Sequence, residues 1–169
     1  MEILSIFGST QSAAEETLRD TGELTIEIPA LPRPTLEELQ AQDAQGSNGT
    51  KSIERDTSPV TPVTLTLKTF VLPPYGIEGD GYERRLKPYQ DVLLGFQHQQ
   101  WLLAHLDEYP ALKEHLGKVY IDFPGIVVRS NNGSCYVPCI SRRGYMQNRN
   151  WSWFDLGFLK NGRVAVART

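Results

Sequence analysis

Ile126-Val127-Val128-Arg129-Ser130-Asn131-Asn132-Gly133-Ser134-Cys135-Tyr136-Val137 sets two runs of strand-forming residues either side of an Asn-Gly pair. Asn-Gly readily takes the positive-φ conformations of a tight turn, so the stretch predicts two antiparallel strands joined at Asn132-Gly133. The pair recurs at Asn161-Gly162, with Trp153-Phe154-Asp155-Leu156-Gly157-Phe158 before it and Val164-Ala165-Val166 after, and predicts a second hairpin. Upstream, Val119, Ile121 and Phe123 alternate with Lys118, Tyr120 and Asp122, the period of a half-buried strand. Pro138 has no N–H to give a ladder, which places its strand at an edge or ends it there. Lys118 to Thr169 thus reads as an antiparallel sheet of about four or five strands.

Further towards the N-terminus, Pro88 suits the first turn of a helix, and Tyr89 to Leu106 is the strongest helical stretch. Val92, Phe96, Leu103 and Leu106 form its apolar stripe, which Leu94, Trp101 and Leu102 widen. Pro110 ends it after Tyr109, and Ala111 to Leu116 predicts a further turn or two closed by Gly117. Val63 to Val71 alternates and is expected to join the sheet, and Gly76 to Gly81 reads as a loop. The expected fold class is α+β: an antiparallel sheet packed by one main helix, in a domain spanning residues 62–169.

Residues 1–61 read as an extended acidic N-terminal arm. Glu2 to Phe7 has the look of a short strand and Gln11 to Arg19 has helical composition. Leu24 to Ile28 alternates as a strand, and Pro29, Pro32 and Pro34 impose an extended connection. Thr35-Leu36-Glu37-Glu38-Leu39 carries the Thr-x-x-Glu pattern of a capped helix start. From Ala41 to Pro62, Gln, Ser, Asn, Gly, Thr and Pro dominate, the composition of a linker.

The chain has 169 residues, 40% of them hydrophobic, enough for one domain with an appendage. Its net charge of −3 conceals a polarity. Residues 1–57 hold 4 Lys/Arg against 11 Asp/Glu, residues 58–116 hold 5 against 7, and residues 117–169 hold 8 against 2. An acidic head and a basic tail imply self-complementarity or separate partners. No apolar run reaches the roughly 18 residues of a membrane span, and the N-terminus lacks the basic region of a signal peptide. The expected location is the cytoplasm, or an assembly built there.

The chemistry searched for is sparse. Cys135 and Cys139, four apart in an extended strand, stand roughly 13 Å apart, too far for a disulfide. A Cys-x-x-x-Cys without a second pair is a poor zinc pattern, and His98 and His105, roughly 10 Å apart along a helix, do not share a metal. Glu78 and Asp80 supply too few oxygens for a calcium loop. The sheet region carries two carboxylates, Asp122 and Asp155, too few for a metal nuclease. No cofactor, metal or catalytic residue is expected.

The positive signal is Arg142, Arg143, Tyr145, Arg149, Trp151 and Trp153, within Ser141 to Trp153. Arg interleaved with Trp and Tyr is the composition of a protein-interface hot spot, and also of a single-stranded nucleic-acid surface. A third reading puts Trp151 and Trp153 in the core with the arginines outside. The moderate overall charge favours protein contact. The expectation is a non-enzymatic structural protein of a multi-subunit particle, such as a phage or other bacterial assembly. Its partners would be another protein or its own copies, without membrane contact. The alternative is a nucleic-acid-binding accessory using the same residues.

Overall fold

A computed structural model describes residues 17–43, 49–71, 76–141, 151–154 and 157–168. Among the described residues eight strands are formed: β1 (Arg19–Ile28), β2 (Thr50–Asp56), β3 (Val63–Thr69), β4 (Tyr120–Asp122), β5 (Ile126–Ser130), β6 (Cys135–Ile140), β7 (Trp151–Trp153) and β8 (Gly162–Ala167). The helices are α1 (Leu36–Asp43), α2 (Gly79–Leu86), α3 (Phe96–Ala104) and α4 (Pro110–His115), with 3₁₀ turns at Lys87–Tyr89 and Leu106–Glu108. The strands make one sheet in the order β1-β3-β8-β4-β6-β5-β2, with β7 also on β6. The fold is mixed α and β with a large sheet. Its eight strands correct the expected four or five.

Two of the additional strands come from residues read as the arm. β1 pairs antiparallel with β3 from Ile28↔Val63 to Arg19↔Thr69, and β2 pairs antiparallel with β5. Alternation at Ile26 and Ile28, both buried, drives β1 into the sheet. β2 (Thr-Lys-Ser-Ile-Glu-Arg-Asp) was hidden by its polarity, because it is a sheet edge needing little apolar surface. The predicted Thr35 cap is present: Glu38 N–H donates to Thr35 Oγ1 at 3.1 Å, and Thr35 N–H reaches back to Glu38 Oε1 at 3.5 Å. The helix expected at Gln11–Arg19 falls mostly outside the described residues, and Arg19 itself begins β1.

The hairpin at Asn132-Gly133 forms, joining β5 to β6 with Gly133 at φ +88°. The one at Asn161-Gly162 does not. Leu159 to Gly162 is a turn, but β7 pairs with β6 while β8 pairs with β3 and, in parallel, with β4. Phe154 and Phe158 between them are buried around Tyr82, which pins that segment to the core instead of beside β8. Pro138 is in β6, an interior strand, contrary to the edge position expected. Residues 135–136 pair with β5 and 139–140 with β4, and Pro138 between them stands opposite Trp151 of β7 and accepts the Phe123 N–H through its carbonyl, a position that needs no N–H from the proline.

The long helix expected over 88–106 is also broken. Leu93 bridges to Val166, Leu94 N–H donates to the Ala165 carbonyl and Ala167 N–H to the Val92 carbonyl, so Val92 to Leu94 is engaged by β8. Gly125 lies against this crossing, its N–H bonded to Leu94 O at 2.7 Å, and a Cβ there would come within 2.4 Å of Leu93 O. Only after Gly95 does α3 start. Conversely, α2 occupies the expected loop after Gly76. Tyr82 and Leu86, one turn apart and fully buried, anchor it despite Gly79 and Gly81.

The central strand β8 separates two cores. Ala165 joins Leu65, Leu67 and Ile121 with Leu102 of α3 and Leu112 of α4. Val164 and Val166 join Val127, Val137 and Phe158 with Tyr82 and Leu86 of α2. A third cluster joins Leu39, Phe96, Ile126 and Val128, with Tyr136 and Trp151 at its margin.

Candidate functional site

Of the residues singled out from the sequence, Arg142, Arg143, Tyr145 and Arg149 lie outside the described residues. Trp151 and Trp153 form the ends of β7 and share one strand face by their spacing. Trp151 is half-buried and stacks on Phe96 at the start of α3, with ring centroids 5.8 Å apart and planes at 17°. Trp153 stands opposite Tyr136 in the ladder and is 40% exposed. One indole thus belongs to the margin of a core and the other faces solvent. Directly opposed residues point to the same side of an antiparallel pair, so Tyr136 and Trp153 present neighbouring aromatic surface.

The charge polarity is partly resolved inside the chain. Glu23 of β1 accepts from Arg163 of β8 at 2.5 Å and also meets His115 at the end of α4. Glu54 of β2 accepts from Arg129 of β5 at 2.7 Å. Burial raises the Glu23 pKa, but Arg163, Thr21 and His115 together outweigh it and hold the carboxyl below its usual range. Glu23 and Glu54 therefore dock on basic side chains of β8, α4 and β5 of the same molecule.

The described interior holds a second group of chemically distinctive residues. Tyr82 Oη donates to Asp122 Oδ2 at 2.8 Å, and both side chains are fully buried. Cys139, also buried, is Asp122's partner in the β4–β6 register, and Gln99 Nε2 of α3 donates to its carbonyl at 2.8 Å. Burial pushes the Asp122 pKa up to about 7, against the lowering effect of the Tyr82 hydroxyl, and burial likewise raises Tyr82. A carboxyl that titrates near neutrality is the kind of group that catalysis uses. Here it is sealed at 0% exposure, so its visible role is to join β4 to α2. Replacing Tyr82 by Phe removes the donor and leaves a buried carboxyl unanswered. We expect a loss of roughly 1–3 kcal/mol at pH 8, read from chemical denaturation.

The histidines are each engaged. His98 is fully buried, its Nδ1 accepts the Gly95 N–H at 3.0 Å, and burial lowers its pKa to about 4. His105 bonds the Trp101 carbonyl at 2.7 Å and stacks on the Trp101 ring. Cys135 and Cys139 are not in a disulfide. Among the described residues, no group of three or more His, Cys, Asp or Glu is placed to hold a metal ion.

The sequence reading missed the Tyr82–Asp122 pair because Tyr82 lies just past the expected Gly76–Gly81 loop, in a helix that was not expected, and Asp122 was placed on the polar side of a strand. The available signal was a lone aspartate between Ile121 and Phe123 in an otherwise apolar strand. No helix among the described residues is long and apolar enough to cross a membrane. Compared with protein-family models, with curated proteins and with solved structures, the chain matches none.

Proposed function

We propose that this chain is a non-enzymatic assembly protein, a component of a multi-subunit particle such as a phage or other bacterial assembly. Protein contacts are made through the aromatic face around Trp153. The observation that carries this reading is the exposure of Trp153, 40%, on a strand whose other tryptophan is stacked on the core. Trp is among the residues that dominate interface energetics, and a rigidly based strand presents it at low entropic cost. The basic residues Arg142, Arg143 and Arg149, with Tyr145, extend this surface in the proposal. Glu23 of β1 and Glu54 of β2 are committed to Arg163 and Arg129, so charge alone is a weaker basis for assembly than sequence polarity implied.

Association is read by sedimentation of the full chain over a concentration series. Trp153→Ala is expected to weaken it by about tenfold or more, the size of an interface hot spot. Unchanged association in that variant would contradict the assignment of this face. The second reading, single-stranded nucleic acid, draws on the same exposed indole as a stacking surface. Oligonucleotide binding that collapses with salt and is lost in Arg142→Ala/Arg149→Ala would favour it.

A further inference from the structure

Tyr82 closes α2 over the sheet. Its ring lies among Phe70, Phe154 and Phe158, with centroids 6.3, 5.2 and 4.9 Å away, and its hydroxyl donates to Asp122 Oδ2. The second carboxyl oxygen, Oδ1, is buried too and has no hydrogen-bond partner among the described residues. The groups that face this carboxyl come from four elements. α2 supplies Tyr82, β6 supplies Cys139 as the register partner, and β8 supplies Val164 in the parallel register. On β4 itself, Tyr120 is two residues away and its hydroxyl accepts the Leu159 N–H at 2.9 Å. Tyr120 and Cys139 are the titratable neighbours of the pair, and neither is a cation. A protonated Asp122 is neutral, and one hydrogen bond suits it. Ionised, it is a buried charge with a single donor and no countercharge among these neighbours.

The walls around Asp122 are unequal. β4, β6 and β8 are fixed to one another by backbone ladders. α2 has eight residues, includes Gly79 and Gly81, and starts at Glu78 with no side-chain cap bond. A helix so short and so rich in glycine depends on what its buried face packs against. That face is Tyr82 and Leu86, while outside Glu83 meets Arg55 of β2 at 3.5 Å. The chain is held on both sides of the helix. Ile77 and Phe158 exchange both backbone hydrogen bonds, at 2.9 and 2.8 Å, and the Tyr89 hydroxyl accepts the Leu18 N–H at 3.2 Å. α2 can therefore lift between two fixed points while the sheet stays paired.

We propose that α2 is a proton-controlled latch, closed on β4 while Asp122 carries its proton and opening to hydrate the carboxylate when that proton leaves. Opening uncovers the rings of Tyr82, Phe154 and Phe158, an apolar surface that the closed molecule does not offer. Burial pushes the closed-state pKa of Asp122 from 3.8 up to about 7. Once hydrated, the carboxyl returns towards its ordinary value. The open form therefore gains on the closed one as pH rises, about tenfold per pH unit between these limits, and gains no further above the closed-state value.

Hydrogen exchange of the full chain reads the latch at the Tyr82 amide, which donates to the Glu78 carbonyl at 2.8 Å. The Leu94 amide, bonded to the Ala165 carbonyl of β8 at 3.1 Å, is the reference for the sheet. Protection factors remove the pH dependence of the exchange chemistry itself. Tyr82 is expected to be the less protected of the two, to lose about tenfold per unit from roughly pH 5 to 7, and to level off above. In Asp122→Asn its protection should stay flat over the same range. Tyr82→Phe removes the donor that favours the charged form, so read at residue 82 its levelling-off should move to higher pH. A flat wild-type profile, or an unchanged slope in Asp122→Asn, would overturn the latch. So would equal protection at Tyr82 and Leu94 at every pH, since α2 would then open only with the whole fold. If a variant folds poorly, the wild-type levelling-off and the difference between the two amides still decide.

Discussion

A chain beginning at Pro62 is expected not to fold: its far-ultraviolet spectrum should lack a cooperative thermal transition that the full chain shows. The composition of residues 1–61 invites the cut, but the cut removes β1, α1 and β2. It strips Leu18, Ile26, Ile28 and Leu39 from three separate core clusters. At about 1.5–3 kcal/mol for each buried side chain, the loss is roughly 6–12 kcal/mol. That is comparable with the roughly 5–15 kcal/mol of total stability of an ordinary domain. The ladders on β3 and β5 are lost as well, leaving two long hydrophobic edges exposed. A truncated chain with an intact cooperative transition would show that these strands are accessory.

The second large effect is a pair of opposite pH dependences. Asp122 has its pKa raised from 3.8 to about 7 by burial. The folded state holds that proton more tightly than the unfolded state, so this group's contribution to stability falls as pH climbs from about 4 to about 7. His98 has its pKa lowered from 6.5 to about 4. The unfolded state takes up that proton first, so its contribution falls as pH drops from about 6.5 to about 4. Across roughly pH 4.5–6 the two slopes oppose each other, each about 1.4 kcal/mol per pH unit, and nearly cancel. Asp122→Asn should therefore lose about 2 kcal/mol on acidification through that window, whereas His98→Gln should gain about as much. Denaturant midpoints at a series of pH values read both. Parallel profiles in the two variants would contradict the burial of one group or the other.

What was legible in the sequence followed local chemistry. Asn132-Gly133 determines its own turn, the Thr35–Glu38 box is closed within one helical turn, and the alternation of β1 reports burial directly at Ile26 and Ile28, whereas that of β4 hides the buried Asp122. What was not legible depended on distant partners. Asn161-Gly162 carries the same turn chemistry, yet the strand it feeds finds β3 and β4 instead of its predecessor. The helical stripe from Val92 to Leu106 is real in spacing, but the β8 backbone competes for Val92 to Leu94. β2 is too polar to be recognised without β5 beside it. For the candidate site, the sequence located Trp151 and Trp153 but not their division of labour. That division depends on Phe96 arriving from α3 to stack on Trp151.

The edges of the sheet bear on how copies can meet. β1 carries a register shift between Asp20 and Thr25, β2 carries two, and β7 is three residues long. Irregular and short edges resist strand-to-strand pairing, as native sheets commonly arrange.

Self-assembly is read most directly from the light-scattering mass of the full wild-type chain over a hundredfold range of concentration. The expected mass rises progressively above that of the 19.0 kDa monomer. A mass fixed at the monomer value throughout would contradict it.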